Sequence, residues 1–458
     1  MGKQVSLMNL MPKMMENVPD AAVQTITYNR KTQRRKRADL LAAFPAEEGH
    51  HELTEIGKQP VRQEVIFISA QLKKLEHIQH VYKCEYCGQR DLTDKIIKAK
   101  LPKTPLKHGL GSASLIAHTL YQKYEMKVPD YRQENDWRKL GLDLSRQMLN
   151  YWGLKSSDYY FKHIYKLLEQ KLLNRPILHA DETYYTVLES ETIKTYYWVF
   201  LSGKHDQYGI TLYHHDSHRS GKVALDFLGN YNGYLHCDMW QAYMQLSQAT
   251  LVGCWAHVRR KFDEAVPQTA SDKSLAKKGL NYCNRMFYLE QTWEALNKQE
   301  RCRLRQEKLK PLMKEFFNWC RQNKATVLPG SKLGKAISYS LKHQETFENV
   351  LLDGHLELSN NKAERAVKSL VMGRGHWLFS QSFAGAKASG IILSLIETAK
   401  RNGLDPEKYL KYLLEKLPNE KDLESNTLEA YLPWQKEFQQ VKNICVIVFL
   451  KCYKVCYN

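Results

Sequence analysis

Three carboxylates stand where a strand end or a helix could present them to a shared ligand. Asp181 lies just past the apolar pair Ile177-Leu178, Asp238 ends the apolar stretch of NGYLHCDMW, and Glu364 follows Asn360 and Asn361 on a helix-like segment. Phosphodiester cleavage by two metals needs carboxylates converging on a pair of hard cations ~3.5–4 Å apart. Mg²⁺, or Mn²⁺ in its place, prefers oxygen ligands and keeps waters, so three carboxylates and a substrate phosphate suffice. Two adjacent strand ends and one helix can supply that geometry while leaving a face open. Any one acidic residue, taken alone, reads as a solvated loop or cap.

Cationic residues lie near two of these positions. Arg259, Arg260 and Lys261 follow Cys254-Trp255-Ala256-His257, while Arg365, Lys368 and Arg374 lie beside or beyond Glu364. Either set could contact phosphate near the cut, and either could be a plain solvated helix face. The Cys-x-x-His word reads as structural support for the site, since zinc normally takes four ligands. Cys84-Glu85-Tyr86-Cys87-Gly88 is half of a zinc ribbon. No second Cys pair precedes it, and His50, His51, His77 and His80 have no diagnostic spacing as substitutes. The half-ribbon therefore reads as a degraded, partial zinc site at Cys84 and Cys87.

The elements that must position these groups follow from the hydrophobic period. RPILHADETYYTVL, KTYYWVFLSG and QYGITLYHHD read as strands, GKVALDFLGNY as a helix and NGYLHCDMW as a fourth strand. A helical WQAYMQLS, a short strand ATLVGCWAH and a basic helix VRRKFDEAV come next. That is the element order of a ribonuclease-H-like core. Residues 267–342 are mostly helical, and the Glu364 helix opens with capping Ser359 and Asn360. Two helices then break at Asn402-Gly403 and Pro406. Upstream, residues 112–171 are helical; Gly141 separates two amphipathic halves, with Asp143 or Ser145 as a cap for the second. This suits a helix-turn-helix or an ordinary helical hairpin alike.

The 458 residues carry 68 Lys+Arg against 49 Asp+Glu, a formal charge of +19. Such an excess attracts polyanions, nucleic acid first among them. The opening residues lack a charged end followed by an apolar run, so no secretory leader is expected. The apolar stretch Ile444 to Leu450 is far shorter than the ~18 residues a membrane span needs. Ten scattered cysteines suggest reduced thiols in a cytosol rather than a disulfide framework.

Five segments in order, HADETYY, GYLHCDMWQAY, GCWAHVRRKF, NNKAERAVKSLVMGRGHWLF and SLIETAKRNGLDPEKYL, resemble the signature segments of the insertion-sequence-66 family of bacterial transposases. The resemblance extends over roughly residues 60 to 435. It implies an α/β, ribonuclease-H-like catalytic core whose DDE triad falls on Asp181, Asp238 and Glu364, with Mg²⁺ as cofactor. It implies DNA as partner, both element ends and target, an oligomer on that DNA, accessory proteins of the same element, and a cytoplasmic, nucleoid-associated location. Where the family commonly has Asp-Gly-Tyr, this chain reads Asp238-Met239-Trp240. The end KNICVIVFLKCYKVCYN matches no family pattern and reads as a read-through or frameshifted tail.

The expected division is a basic, flexible segment at 1–50, a degraded zinc-ribbon-like domain at 51–100 and a helix-turn-helix-like segment at 101–175. The core occupies 176–266 and 346–400 around a helical insertion at 267–345, and C-terminal helices and the tail fill 401–458. The expected function is metal-dependent cleavage of element ends and strand transfer. Its alternatives are a catalytically decayed DNA-binding repressor and a nuclease of the same fold without strand transfer.

The missing Cys pair makes a prediction. Purified protein should carry less than one zinc per chain by elemental analysis; one tightly held zinc, lost on Cys84→Ser, contradicts it.

Overall fold

The computed structural model describes residues 71–83, 96–98, 103–107, 109–192, 194–269, 274–435 and 438. The expected flexible segment at 1–50, Cys84, Cys87 and the tail lie outside the described residues.

A short ribbon, β1 (Val81–Lys83) with β2 (Ile96–Lys98), is antiparallel. Four helices follow: α1 (Ala113–Tyr124), α2 (Asp130–Lys139), α3 (Arg146–Ser156) and α4 (Lys162–Leu173). Ser145 caps α3 by accepting from Met148 N at 3.2 Å. Gly141, between α2 and α3, has φ 81°, which glycine adopts at little cost.

The chain then switches to β-branched and aromatic residues, which favour a pleated, packed surface. Five strands form one sheet: β3 (Ile177–Tyr185), β4 (Thr195–Ser202), β5 (Thr211–Asp216), β6 (Tyr234–Cys237) and β7 (Thr250–Gly253), in the order β5-β4-β3-β6-β7. The first three pair antiparallel, whereas β3, β6 and β7 are parallel. Helix α5 (Gly221–Leu228) lies on the crossover from β5 to β6. The helix expected at WQAYMQLS is only a 3-10 turn, Tyr243–Gln245. Residues 238–249 first complete a turn at Asp238, where Asp238 Oδ1 accepts from Trp240 N, so the helical stretch begins late.

One edge of the sheet is closed by side chains. On helix α13 (Phe383–Arg401), Ser394 Oγ and Thr398 Oγ1 accept from Tyr213 N at 2.8 Å and Thr211 N at 3.1 Å. The close approach depends on Gly390, where a Cβ would stand 2.8 Å from Tyr213 O. Helix α14 (Pro406–Lys416) starts at the expected break, capped by Asp405.

After β7 come α6 (Trp255–Ala265), then α7 (Leu275–Thr292), α8 (Lys298–Leu304), α9 (Lys310–Lys324), α10 (Lys332–Lys342) and α11 (Gln344–Glu348). The helices read between 267 and 342 are present. The chain returns to the sheet through residues 353–360 into α12 (Asn361–Trp377). Among the described residues no helix is long and apolar enough to cross a membrane.

Buried Arg305 fixes the returning segment. Its guanidinium grips Glu290 with two bonds, 2.6 and 2.7 Å, and donates to the carbonyls of Val350, Asp353 and Leu356 at 3.0, 2.6 and 2.7 Å. Arg305→Met should therefore cost about 3–5 kcal/mol, because Glu290 is left buried without its partner. Arg303→Met, which breaks only a surface pair with Glu307, should cost no more than about 1 kcal/mol. Urea unfolding of the two variants checks this; equal midpoints contradict it.

Candidate active site

The parallel register puts the two aspartates side by side. It pairs Ile177 with Tyr234 and His179 with His236, so Asp181, two residues on, falls beside Asp238, two residues on. β6 ends at Cys237 while β3 continues to Tyr185, and this overhang opens the sheet at the carboxylates. Each carboxylate is steadied by a nearby backbone amide: Asp181 Oδ1 accepts from Glu182 N, and Asp238 Oδ1 from Trp240 N, both at 2.9 Å. Met239 between them has φ 65° and is buried, its Sδ accepting from Thr346 Oγ1 at 3.0 Å. The backbone thus adopts here a conformation that favours glycine, although the residue is methionine.

Glu364 enters from the first turn of α12. Arg260 donates to its Oε2 at 3.3 Å, and His257 Nδ1 lies 3.8 Å from its Oε1. Sγ of Cys254, a ring nitrogen of His257 and a carboxylate oxygen of Glu364 all lie within 4.8 Å of one another. Glu364 Oε1 and His257 Nδ1 are buried atoms without a hydrogen-bond partner in the structure.

The charges of Asp238 and Glu364 are felt at Asp181, although among the described residues the tightest set of potential ligand atoms is Cys254, His257 and Glu364 rather than the three carboxylates. Burial, then the charge of Glu182, with further contributions from Asp238 and Glu364, pushes Asp181 up to about 8. Burial lowers the pKa of His257, while Glu364 and Asp238 oppose the shift. A carboxyl so destabilised as an anion suits a nearby hard cation, and so does the unpartnered Glu364 Oε1. Asp181, Asp238 and Glu364 are the residues that could hold it.

The expected cation contacts divide. Arg260 meets Glu364; Arg259 donates to Asn284 Oδ1 at 2.7 Å, and Lys261 sits 4.6 Å over the Tyr339 ring. Arg374 stacks on Tyr184 at 3.9 Å and donates to Tyr184 O. Arg365 and Lys368 are exposed and have no ion-pair partner among the described residues. A cleft of about 410 Å³ opens beside Arg259, Arg260 and Asn361.

Sequence reasoning missed the network beneath the carboxylates. Asn360 is not a side-chain cap of α12. Its Nδ2 donates to Ala180 O at 2.8 Å, its Oδ1 meets His179 Nδ1 at 2.9 Å, and its backbone N donates to Cys254 Sγ at 3.1 Å. His179 stacks on His236 with centroids 4.3 Å apart. Glu357 Oε1 lies 3.1 Å from His179 Nε2. Against its burial, the contact with His179 and the charges of Lys362 and His236 hold Glu357 down at about 2. The signal was legible: His179-x-Asp181 and His236-x-Asp238 repeat one spacing on neighbouring strands. A fourth carboxylate, Glu182, with its side chain 2% exposed, is held by Arg219 at 2.6 and 3.0 Å and by Tyr243 Oη at 2.7 Å.

The raised pKa of Asp181 fixes a sign. The folded carboxyl keeps its proton to about 8, whereas an unfolded one loses it near ~4. The folded state then binds more protons between those values, so stability is lost as pH rises through that window. Asp181→Asn should raise the thermal midpoint in EDTA near pH 9, with the gain shrinking toward pH 4. A gain that is absent or independent of pH contradicts the assignment.

Comparison with known proteins gives the chain a family. A family model described as "Transposase IS66 family" matches residues 108–388, well over half of the chain and including Asp181, Asp238 and Glu364. The "IS66 C-terminal element" matches 394–434, and the "zinc-finger binding domain of transposase IS66" matches 47–88. Three uncharacterized proteins of Sinorhizobium fredii are similar. y4hP is 27% identical over 410 residues, 84% of this chain and 72% of its own length. y4qI is 26% identical over 362 residues (74% and 66%), and y4jD 27% over 390 (82% and 75%). The chain belongs to the IS66 family of transposases.

Proposed function

We propose that the chain is a DDE transposase that cuts the ends of its insertion sequence and joins them to target DNA. The observation that carries this reading is the register that sets Asp181 and Asp238 at one level on parallel strands, and it is supported by Glu364 in the first turn of α12, whose charge is felt at Asp181. The sheet order, an antiparallel meander followed by two parallel strands, supports a ribonuclease-H-like core. The zinc-finger match and the charge of +19 support DNA as partner. An oligomer on DNA and accessory proteins belong to the same proposal, since two ends must be cut together.

In this reading a bound pair of divalent cations, Mg²⁺ or Mn²⁺, would supply Lewis-acid activation of the attacking oxygen and stabilise the leaving one. Asp181, Asp238 and Glu364 would hold the cations. The His179–Asn360 tie fixes the distance between strand β3 and Glu364. Arg260, with Arg365 and Lys368 beyond it, orients phosphates. In the first step a water oxygen bonds to phosphorus, the P–O3′ bond breaks, and the departing 3′ oxygen takes up a proton. In the second step that 3′-hydroxyl attacks a target phosphodiester, and another P–O3′ bond breaks. One phosphodiester is exchanged for another, so the joining step needs no external energy source.

Glu364→Gln keeps the size of the side chain and removes a charged ligand. It should abolish cleavage of element-end DNA in Mg²⁺ while leaving binding intact, because affinity rests on many phosphate contacts. Replacing Arg259 and Arg260 by Ala should weaken binding and reduce its salt slope by ~1 per lost phosphate contact. Cleavage and gel-shift assays on both variants and the parent check this. A Gln variant that cuts as fast as the parent removes Glu364 from the triad. A parent that binds but never cuts in Mg²⁺ or Mn²⁺ favours the decayed repressor, and one that cuts but never joins favours the nuclease.

A further inference from the structure

Helix α12 ends in an unusual turn. Phe379 N donates to Trp377 O at 2.7 Å, and Leu378 between them has φ 62° and ψ −51°. This is a γ-turn of the rare, strained hand, centred on a residue that seldom adopts it. The turn leaves Leu378 63% exposed and Phe379 40% exposed. Backbone held in such a region persists only where its surroundings over-determine it. Here Ser380 does so: its N donates to Thr186 O at 3.0 Å, its O accepts from Leu188 N at 2.9 Å, and its Oγ meets Tyr185 Oη at 3.0 Å. The tip is therefore pinned to the end of β3, the strand that carries Asp181.

Cationic side chains lie beside this tip. Arg374 lies over the exposed ring of Tyr184 at 3.9 Å, and Lys194 approaches the same ring at 5.5 Å. Arg365, Lys368 and Met372 are exposed at helical spacing along α12, leading from Glu364 toward the turn. The nearby Glu189 accepts from Phe383 N at 2.8 Å and adds one negative charge to a patch otherwise supplied with cations. Cations alone would suit phosphate. Cations beside protruding apolar groups and a guanidinium-stacked ring suit a polyanion whose units also have an apolar face, which is a strand of DNA with its bases accessible.

We infer that Leu378 and Phe379, with the Arg374–Tyr184 pair, form a site for an unpaired nucleobase of the DNA substrate, close to but separate from the carboxylates. This rests on the transposase reading and adds to it a wedge that holds the end of the duplex open. Phosphates track along Arg365 and Lys368, and the exposed base stacks at the tip.

The test uses the full chain and two DNA probes of equal nucleotide content, a blunt duplex and a duplex with a short unpaired end carrying 2-aminopurine. The parent should prefer the unpaired end roughly tenfold, as expected for stacking of a base or two, and should change the 2-aminopurine fluorescence. The double variant Leu378→Gly, Phe379→Ser should lose the preference and the fluorescence change. It should keep its affinity for the blunt duplex and its thermal midpoint, because glycine suits the positive φ. A preference that survives in the variant overturns the site. So does a parent that binds both probes equally, an outcome that leaves the transposase reading standing. A parent that self-associates in sedimentation, with the variant monomeric and the preference unchanged, assigns the patch to a second copy of the chain instead. A parent that binds neither probe at low salt overturns the DNA reading together with the site.

Discussion

Negative charge crowded at one end of the sheet is the constraint around which the rest of the structure is arranged. Asp181, Glu182, Asp238 and Glu364 act on one another, and burial amplifies their repulsion. Left uncompensated, such a cluster would push its elements apart. The protein distributes the load. Arg219 and Tyr243 bond to Glu182, Arg260 and His257 face Glu364, and burial still raises both Glu182 and Asp181. The unrelieved part is what a pair of divalent cations would offset in the proposed function.

Holding the cluster together falls to groups that carry no net charge of their own in the contact. The Asn360 side chain spans from α12 to both His179 and the Ala180 carbonyl, and its backbone amide reaches Cys254 at the end of β7. A single residue thus ties the Glu364 helix to the strands that carry or adjoin the aspartates. The stacked histidines below it close the gap between β3 and β6. Further out, Arg305 secures the loop that delivers Glu357 and Asn360 to their places. The helical insertion is accordingly part of the support of the site, since α6 and α7 pack together and Arg305 is gripped by Glu290 of α7.

Much of the fold was legible because it follows from local period. The five strands, the helix opening at Ser145 and the break at Pro406 stand where alternation, capping and proline placed them. The WQAYMQLS segment was not, because its apolar spacing is helical and does not show the turn at Asp238 that precedes it. Asn360 misled for a related reason. At a helix start an asparagine is most simply a cap, and only the neighbouring strand reveals that its amide is needed elsewhere. The convergence of the acidic residues was legible through family resemblance but not through their separations, since 56 or 125 intervening positions say nothing about it. Met239 shows how the fold overrides local preference, with the positive φ kept although the residue resists it.

The central claim is that Asp181, Asp238 and Glu364 share metal ions. Anomalous diffraction from crystals of the chain grown with Mn²⁺ tests it most directly. The account predicts two peaks ~3.5–4 Å apart, bridged or flanked by these three carboxylates with oxygen contacts of ~2 Å. Saturating Mn²⁺ with no peak among the three carboxylates, or with the ion elsewhere and the carboxylates turned apart, would contradict it.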